Sequence, residues 1–245
     1  MSPRISVIIL TCNQCDTTLR CLAALTPLPR DIELILVDNG STDGTAGKVN
    51  AIYPGVTIVR NHRNLGVAGG RNAGILRASG RYIMLLDNDT IPSIEAIDDL
   101  AAYLDTNPRC AIAAPRLVGD DGTTQRSFRP FPGLRVKIRR SSDTVAGSEI
   151  PAFPIQPFYV IGAAQLVRRT VFDRIGLLDS HIFYGPEDAD LCMRVRQAGI
   201  GSIDYIPAIV IRHRWRRASR NPLSTLWWRH VISLAYFYCR HRRFL

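Results

Sequence analysis

The stretch YIMLLDNDTIP, residues 82–92, decides how the rest of the chain is read. Five apolar or aromatic residues run straight into two carboxylates, Asp87 and Asp89, and no basic residue occurs between positions 83 and 93. A short apolar run that ends in polar residues is the pattern of a buried strand whose carboxyl end opens into a site. Working outward, similar runs recur at ISVIIL (5–10), IELILV (32–37), VTIV (56–59) and AIAAP (111–115), and helix-compatible segments fill the early gaps. That alternation predicts an α/β fold with a parallel, helix-covered sheet.

The segment 14–26 places Leu19, Leu22, Ala23 and Leu25 at roughly helical spacing. A second helix is expected over 92–106, where Pro92 is followed by Glu95, Asp98 and Asp99, with Asp89 or Thr90 as its cap. From 116 to 158 Gly, Pro, Arg and Ser are dispersed without period, which predicts a long irregular excursion, mobile without ligand. Regularity returns with YVIGAAQLV (159–167), a helix-like RTVFDRIG, a helix PEDADLCMRVRQAG closed by Gly199, and a strand AIVI (208–211).

The 46% hydrophobic content of the 245 residues and a mean hydropathy of +0.01 fit one globular domain with appendages. The net charge of +10 is unevenly placed: residues 212–245 hold nine arginines and no acid, leaving 22 basic and 21 acidic groups elsewhere. A charge-balanced body argues against nucleic acid as a partner and directs the cationic tail to a local anionic one. MSPRISVIIL offers too short an apolar run for a secretion signal or a membrane span, so residence in the cytosol is expected. The six cysteines form no regular framework and are expected as reduced thiols, the alternative for Cys12 and Cys15 being a redox pair.

Three strand ends collect polar groups: Thr11 and Asn13, Asp38 within ILVDNGSTDGT, and Asp87 with Asp89. Asp38 suits an Asx turn or a ribose contact, but TCNQC after the first strand lacks the glycines of a dinucleotide fold. NLGVAGGRNAGI, with glycines at 66, 69, 70 and 74, serves either close helix-to-sheet packing or close backbone approach to a ligand with Arg71 aimed at it. Asp87 and Asp89 point to one side of an extended segment, where repulsion would raise a pKa unless a hard cation such as Mg2+ or Mn2+ sits between them. The ordinary alternative is a solvated turn. Glu187, Asp188 and Asp190 fall in the first turn of one helix, whose dipole keeps a carboxylate ionised; Leu191 and Val195 face the core, so the three acids cannot share one role.

Six stretches carry a resemblance: ISVIILTCNQ, IELILVDNGSTDGT, NHRNLGVAGGRNAGI, YIMLLDNDTIP, VIGAAQLVRRTVFDRIGLLD and FYGPEDADLCMRVRQAGI. In this order, over residues 5–213, they resemble the inverting family-2 glycosyltransferases of the GT-A fold, particularly the bacterial rhamnosyltransferase-like branch. The resemblance implies a Rossmann-like, mixed but mainly parallel sheet with helices on both faces, spanning residues 1–213. It implies a nucleotide-sugar site of Thr11, Asn13, Asp38, Asn64, Gly66, Arg71, Asp87 and Asn88, with Asp38 accepting from the N3–H of uracil or thymine and Arg71 touching base or ribose. Asp87, Asp89 and His213 would hold Mg2+ or Mn2+, Asp188 would be the base with Glu187 bonding a sugar, and Gly162 and Ala163 would leave room for the acceptor.

The implied donor is a UDP- or dTDP-linked sugar, rhamnose among the candidates, and the acceptor a glycan or lipid-linked hydroxyl. Two departures stand out: Cys12 replaces the family's usual aromatic, and Arg214, Arg216 and Arg217 crowd His213, with diphosphate as their alternative target. A nucleotidyltransferase making the sugar nucleotide and a catalytically silent binder remain as alternatives. The tail, 214–245, combines arginines with Trp215, Trp227 and Trp228; only nine uninterrupted apolar or small residues run from Val231 to Cys239, too few to span a bilayer. It is expected either to lie on the anionic inner face of the cell membrane or to dock as a helix on the body or a partner chain.

Overall fold

The computed structural model describes residues 3–130, 143–214 and 224–242. In chain order its elements begin with β1 (Ile5–Thr11), α1 (Cys15–Ala23), β2 (Ile32–Asp38), α2 (Thr45–Ile52), β3 (Thr57–Arg60), α3 (Gly66–Arg77), β4 (Tyr82–Asp87), β5 (Thr90–Ile91) and α4 (Ile94–Thr106). The second half comprises β6 (Cys110–Val118), the two-residue strands β7 (Thr124–Gln125), β8 (Phe128–Arg129), β9 (Thr144–Val145) and β10 (Tyr159–Val160), and the longer β11 (Ala164–Arg168). After these come α5 (Arg169–Ile175), α6 (Glu187–Gln197), β12 (Ser202–His213) and α7 (Thr225–Arg240).

The main sheet has the order β3-β2-β1-β4-β11-β6-β12-β5. Its first four strands are parallel, as the alternation of apolar runs and helices requires. The direction reverses at β11, which runs antiparallel to both β4 and β6, and β12 then pairs with β6 in parallel. The sheet is therefore mixed. Side chains alternate between two cores: Ile5, Val7 and Ile9 pack with residues of α1, α2 and α4, such as Leu22, Val49 and Leu100. Ile8 faces the other way, toward Ala68 and Ile75 of α3, Phe172 of α5, and Leu191 and Val195 of α6.

Several boundaries differ from the sequence reading. The helix expected from residue 92 begins at Ile94, because Ser93 accepts from the Ala96 N–H at 3.1 Å and caps it. Thr90 instead donates to the Asp87 carbonyl and enters β5, whose pairing sets Thr90 opposite His213. The run 159–167 splits at residues 161–163: its start pairs with β8, its end with β4 and β6. AIVI is the end of a 12-residue strand, disguised by the buried polar Asp204, which accepts from Tyr103 Oη at 2.9 Å. The excursion is more ordered than expected, since β7 bridges β6 and β9; its residues 131–142 lie outside the described residues.

The tail helix α7 docks on the body, burying Phe237 with Ile182, Ala189 and Met193. Among the described residues no helix is long and apolar enough to cross a membrane.

Candidate active site

The sheet register brings the acidic tip of β4 to the end of β12. One ligand atom each from Asp87, Asp89 and His213 lies within 4.8 Å of the others. His213 is buried, not solvated among the neighbouring arginines, and its Nε2 stands 3.3 Å from Asp89 Oδ1. Gln125 on β7 clasps it: the His213 Nδ1 lies 2.7 Å from Gln125 Oε1, and Gln125 Nε2 donates to the His213 carbonyl at 2.8 Å. An amide oxygen can only accept, so Nδ1 carries a proton and the ring is oriented with Nε2 toward Asp89, where it could serve as a metal ligand. Burial raises the Asp87 carboxyl above the usual range, with Arg71 opposing and Asp89 adding to the rise. Two hard carboxylates with one oriented imidazole fit Mn2+ or Mg2+ in donor type and spacing.

Arg71, on α3, is 2% exposed and joins two halves of the site. Its Nη2 donates to Asp87 Oδ1 at 2.5 Å and to the Gly162 carbonyl at 2.7 Å, while Nη1 lies 3.5 Å from Glu187 Oε1. A Cβ on residue 162 would lie 2.6 Å from that Nη1, so the smallness of Gly162 houses the guanidinium. Ala163 is itself buried, its carbonyl accepting from the Asp87 N–H at 2.9 Å. The structure thus surrounds Arg71 with protein partners, and gives Gly162 and Ala163 a packing task.

The acid pair opens α6. Asp188 accepts from the Gly162 N–H through Oδ2 at 3.1 Å and from the Ala189 N–H through Oδ1 at 2.7 Å. Glu187 is only 7% exposed. Burial, followed by the Asp188 charge, pushes its carboxyl up to about 7 despite the opposing pull of Arg71. Asp190 is wholly buried and engaged by Arg194 and His241. The three acids of one helical turn therefore have separate surroundings.

At the parallel end, Thr11 and Asp38 are register partners on adjacent strands. Asp38 Oδ1 accepts from the Ser41 N–H at 2.8 Å. Thr11 and Asn88 are buried in one polar cluster, Asn88 Nδ2 donating to Thr18 Oγ1 at 3.0 Å and more weakly to Thr11 Oγ1 at 3.3 Å. Asn13 is exposed at φ 54° and accepts from the Thr42 N–H at 2.8 Å. Asn64 Oδ1 accepts from Asn39 Nδ2 at 3.0 Å and from the Gly66 N–H at 2.8 Å, and its Nδ2 donates to Cys12 Sγ at 3.5 Å. Gly66 has φ 77°, and a Cβ there would lie 2.3 Å from the Phe183 carbonyl oxygen, so only glycine fits.

Asn39 and Gln125 are organising residues that the sequence reading passed over. Asn39 lies inside DNGS, where its turn-forming neighbours hide it; Gln125 lies inside the excursion, with no periodicity to place it. Of the arginines near His213, Arg214 lies 2.9 Å from Asp120, and Arg216 and Arg217 lie outside the described residues.

A model of glycosyl transferase family 2 matches residues 6–176. The N-acetylglucosaminyl-diphospho-decaprenol L-rhamnosyltransferase of Mycobacterium tuberculosis is 28% identical over 238 residues, covering 86% of this chain and 76% of the relative. The dTDP-rhamnosyl transferase RfbF of Shigella flexneri is 26% identical over 216 residues, with coverages of 87% and 70%. The crystal structure of GalNAc-T7 with UDP, GalNAc and Mn2+ superposes with a TM-score of 0.69 at 18% identity, over 97% of this chain but about half, 49%, of that one. With the fold shared and the family's profile running from the first strand to the helix after β11, this chain belongs to glycosyl transferase family 2.

Proposed function

We propose that the protein transfers a sugar from a UDP- or dTDP-linked donor to a hydroxyl of a glycan or lipid-linked acceptor, inverting the anomeric carbon. One observation carries the reading: the buried guanidinium of Arg71 stands between the Asp87, Asp89 and His213 cluster and the acid pair Glu187 and Asp188. A cation-holding group and an acid pair, held apart by one rigid side chain, match the two ends of a displacement at a sugar carbon. The acceptor oxygen bonds to the anomeric carbon as the bond to the phosphate oxygen breaks; the acceptor proton passes to the Asp188 carboxylate, and a nucleoside diphosphate leaves. Mg2+ or Mn2+ held by Asp87, Asp89 and His213 would offset the charge of that leaving group. Asp38 is the group for the pyrimidine N3–H, and Glu187 bonds a sugar hydroxyl.

The names of the mycobacterial and Shigella relatives favour rhamnose and, in the first case, a lipid diphosphate acceptor. Retention of the acid pair on α6 favours transfer over nucleotide-sugar synthesis and over a silent binder. A thermal-shift panel of UDP- and dTDP-sugars tests the reading, because ligands of the native state raise its melting temperature. The expected result is stabilisation by one nucleotide class only when Mn2+ is present; no shift with any sugar nucleotide overturns it.

A peripheral position on the inner face of the cell membrane belongs to the same proposal. The inner side of α7 packs on the body, whereas Trp228 and Ile232 are 57% and 64% exposed on its outer side, followed by the exposed Arg242. An aromatic and apolar stripe beside arginines suits anionic lipid. Flotation with phosphatidylglycerol vesicles should be salt-sensitive and weakened by Trp228→Ala with Ile232→Ser; unchanged flotation would remove this part.

A further inference from the structure

The helix α7 grips the chain on both sides of the acid pair, and we infer that Ser233, His230 and His241 position Glu187 and Asp188 for the reaction. The inference rests on the reading of Asp188 as the base.

Within α6 the first turn is held by Asp188 Oδ1, which accepts from the Ala189 N–H at 2.7 Å, but the residues that lead into it, Gly185 and Pro186, have no such side-chain contact in their own sequence. Pro186 occupies the cap position without a side-chain hydrogen bond to the helix. Gly185 before it has φ 43° and no side chain to anchor it. Here the support comes from 50 residues away. Ser233 is 1% exposed, and its Oγ accepts from the Phe183 N–H at 3.1 Å and the Tyr184 N–H at 3.4 Å. His230 Nδ1 donates to the Tyr184 carbonyl at 3.0 Å, and the Arg229 guanidinium lies 3.9 Å over the Phe183 ring. Residues 183 and 184 are thereby fixed just before the acids.

The second grip lies just after them. Asp190 Oδ1 is 2.8 Å from His241 Nε2, and its Oδ2 accepts from Arg194 Nε at 2.7 Å. His241 Nδ1 lies 3.3 Å from Gln197 Nε2, an amide donor, so the ring proton sits on Nε2 and goes to Asp190. Phe237, between the two grips, is buried against Ala189 and Met193 of α6. The Phe183 carbonyl in turn accepts from the Val67 N–H at 2.7 Å, at the start of the helix that carries Arg71. A base and its partners must be held to within about 1 Å, since a misplacement of that size lowers rates about 100-fold.

The test uses the full chain, Mn2+, and release of nucleoside diphosphate from dTDP-rhamnose or UDP-glucose with water as acceptor. Ser233→Ala and His241→Ala are each expected to lower kcat about 10- to 100-fold. Donor KM should stay within about twofold, because the nucleotide contacts lie on other elements. His241→Gln, which keeps an N–H donor, should recover most of the rate. In an Asp188→Asn background Ser233→Ala should cause no further loss, and its hydrogen exchange should rise at residues 183–190 but not in β1 or β4. Near-wild-type kcat in both alanine variants, with Asp188→Asn inactive, overturns the inference alone; so does an equal loss of donor affinity and kcat. Full turnover by Asp188→Asn overturns the base assignment beneath it.

Discussion

Arg71 Nη2 lies 2.5 Å from Asp87 Oδ1, and the same guanidinium reaches the Gly162 carbonyl and Glu187. One planar fork thus fixes the distance between the tip of β4 and the start of α6. Lysine offers a point charge without the fork and cannot satisfy all three partners. Arg71→Lys is expected to keep the fold with a lowered melting temperature and to lose about 100-fold in kcat/KM. Arg71→Ala removes the cation between the half-exposed Asp87 and the buried Glu187 and should lower the midpoint of a denaturant titration.

Gln125 touches none of the proposed reactants, yet it holds the His213 ring with Nε2 toward Asp89. Groups that orient a metal-binding histidine typically contribute about 10- to 100-fold in metal affinity. Titration calorimetry of Mn2+ in the presence of UDP should show that loss in Gln125→Leu. Asp89→Ala should abolish the Mn2+ dependence of nucleotide binding altogether. A Gln125→Leu protein with wild-type Mn2+ affinity would exclude the clasp from the site.

Asp188 accepts from the backbone N–H groups of Gly162 and Ala189. Asp188→Asn keeps the shape and removes the proposed proton acceptor. Turnover is expected to fall by about 100- to 10,000-fold, the usual contribution of a general base. Mn2+-dependent nucleotide binding should persist, which separates loss of chemistry from loss of the site. A fall in affinity as large as the fall in rate would place Asp188 in donor binding instead.

The parallel half of the fold was legible because its strands are continuous apolar runs that end where side chains must become polar: β1 at Thr11, β2 at Asp38, β4 at Asp87. The second half was harder. β7 to β10 are two residues long, below any period, and β12 carries Asp204, whose partner Tyr103 is far away in sequence. The acids of the site were visible as residue types at strand and helix ends. The buried roles of Arg71 and Gly162 were not, because they depend on β11 inserting beside β4, a pairing across about 80 residues. The tail was legible in composition only: α7 has one face against α6 and another in solvent, so packing on the body and a surface for lipid are compatible.

Glu187 gives the site a pH signature. Its carboxyl is pushed up to about 7 by burial and by Asp188, from an ordinary value of 4.5. Between those values the folded chain holds a proton that the unfolded chain releases, so the folded state binds more protons and stability falls as pH rises through the window. Below pH 4.5 this carboxyl is protonated in both states and has no effect; above about 7 its full penalty applies. With one unit equivalent to about 1.4 kcal/mol, that penalty is on the order of 3 kcal/mol. Glu187→Gln removes the charge and keeps an oxygen that can accept from Arg71. In metal-free buffer its melting temperature should exceed that of the wild type at pH 8, and the two should converge as pH falls toward 4.5. Melting curves with a constant offset from pH 4.5 to 8 would show that Glu187 does not carry the shift.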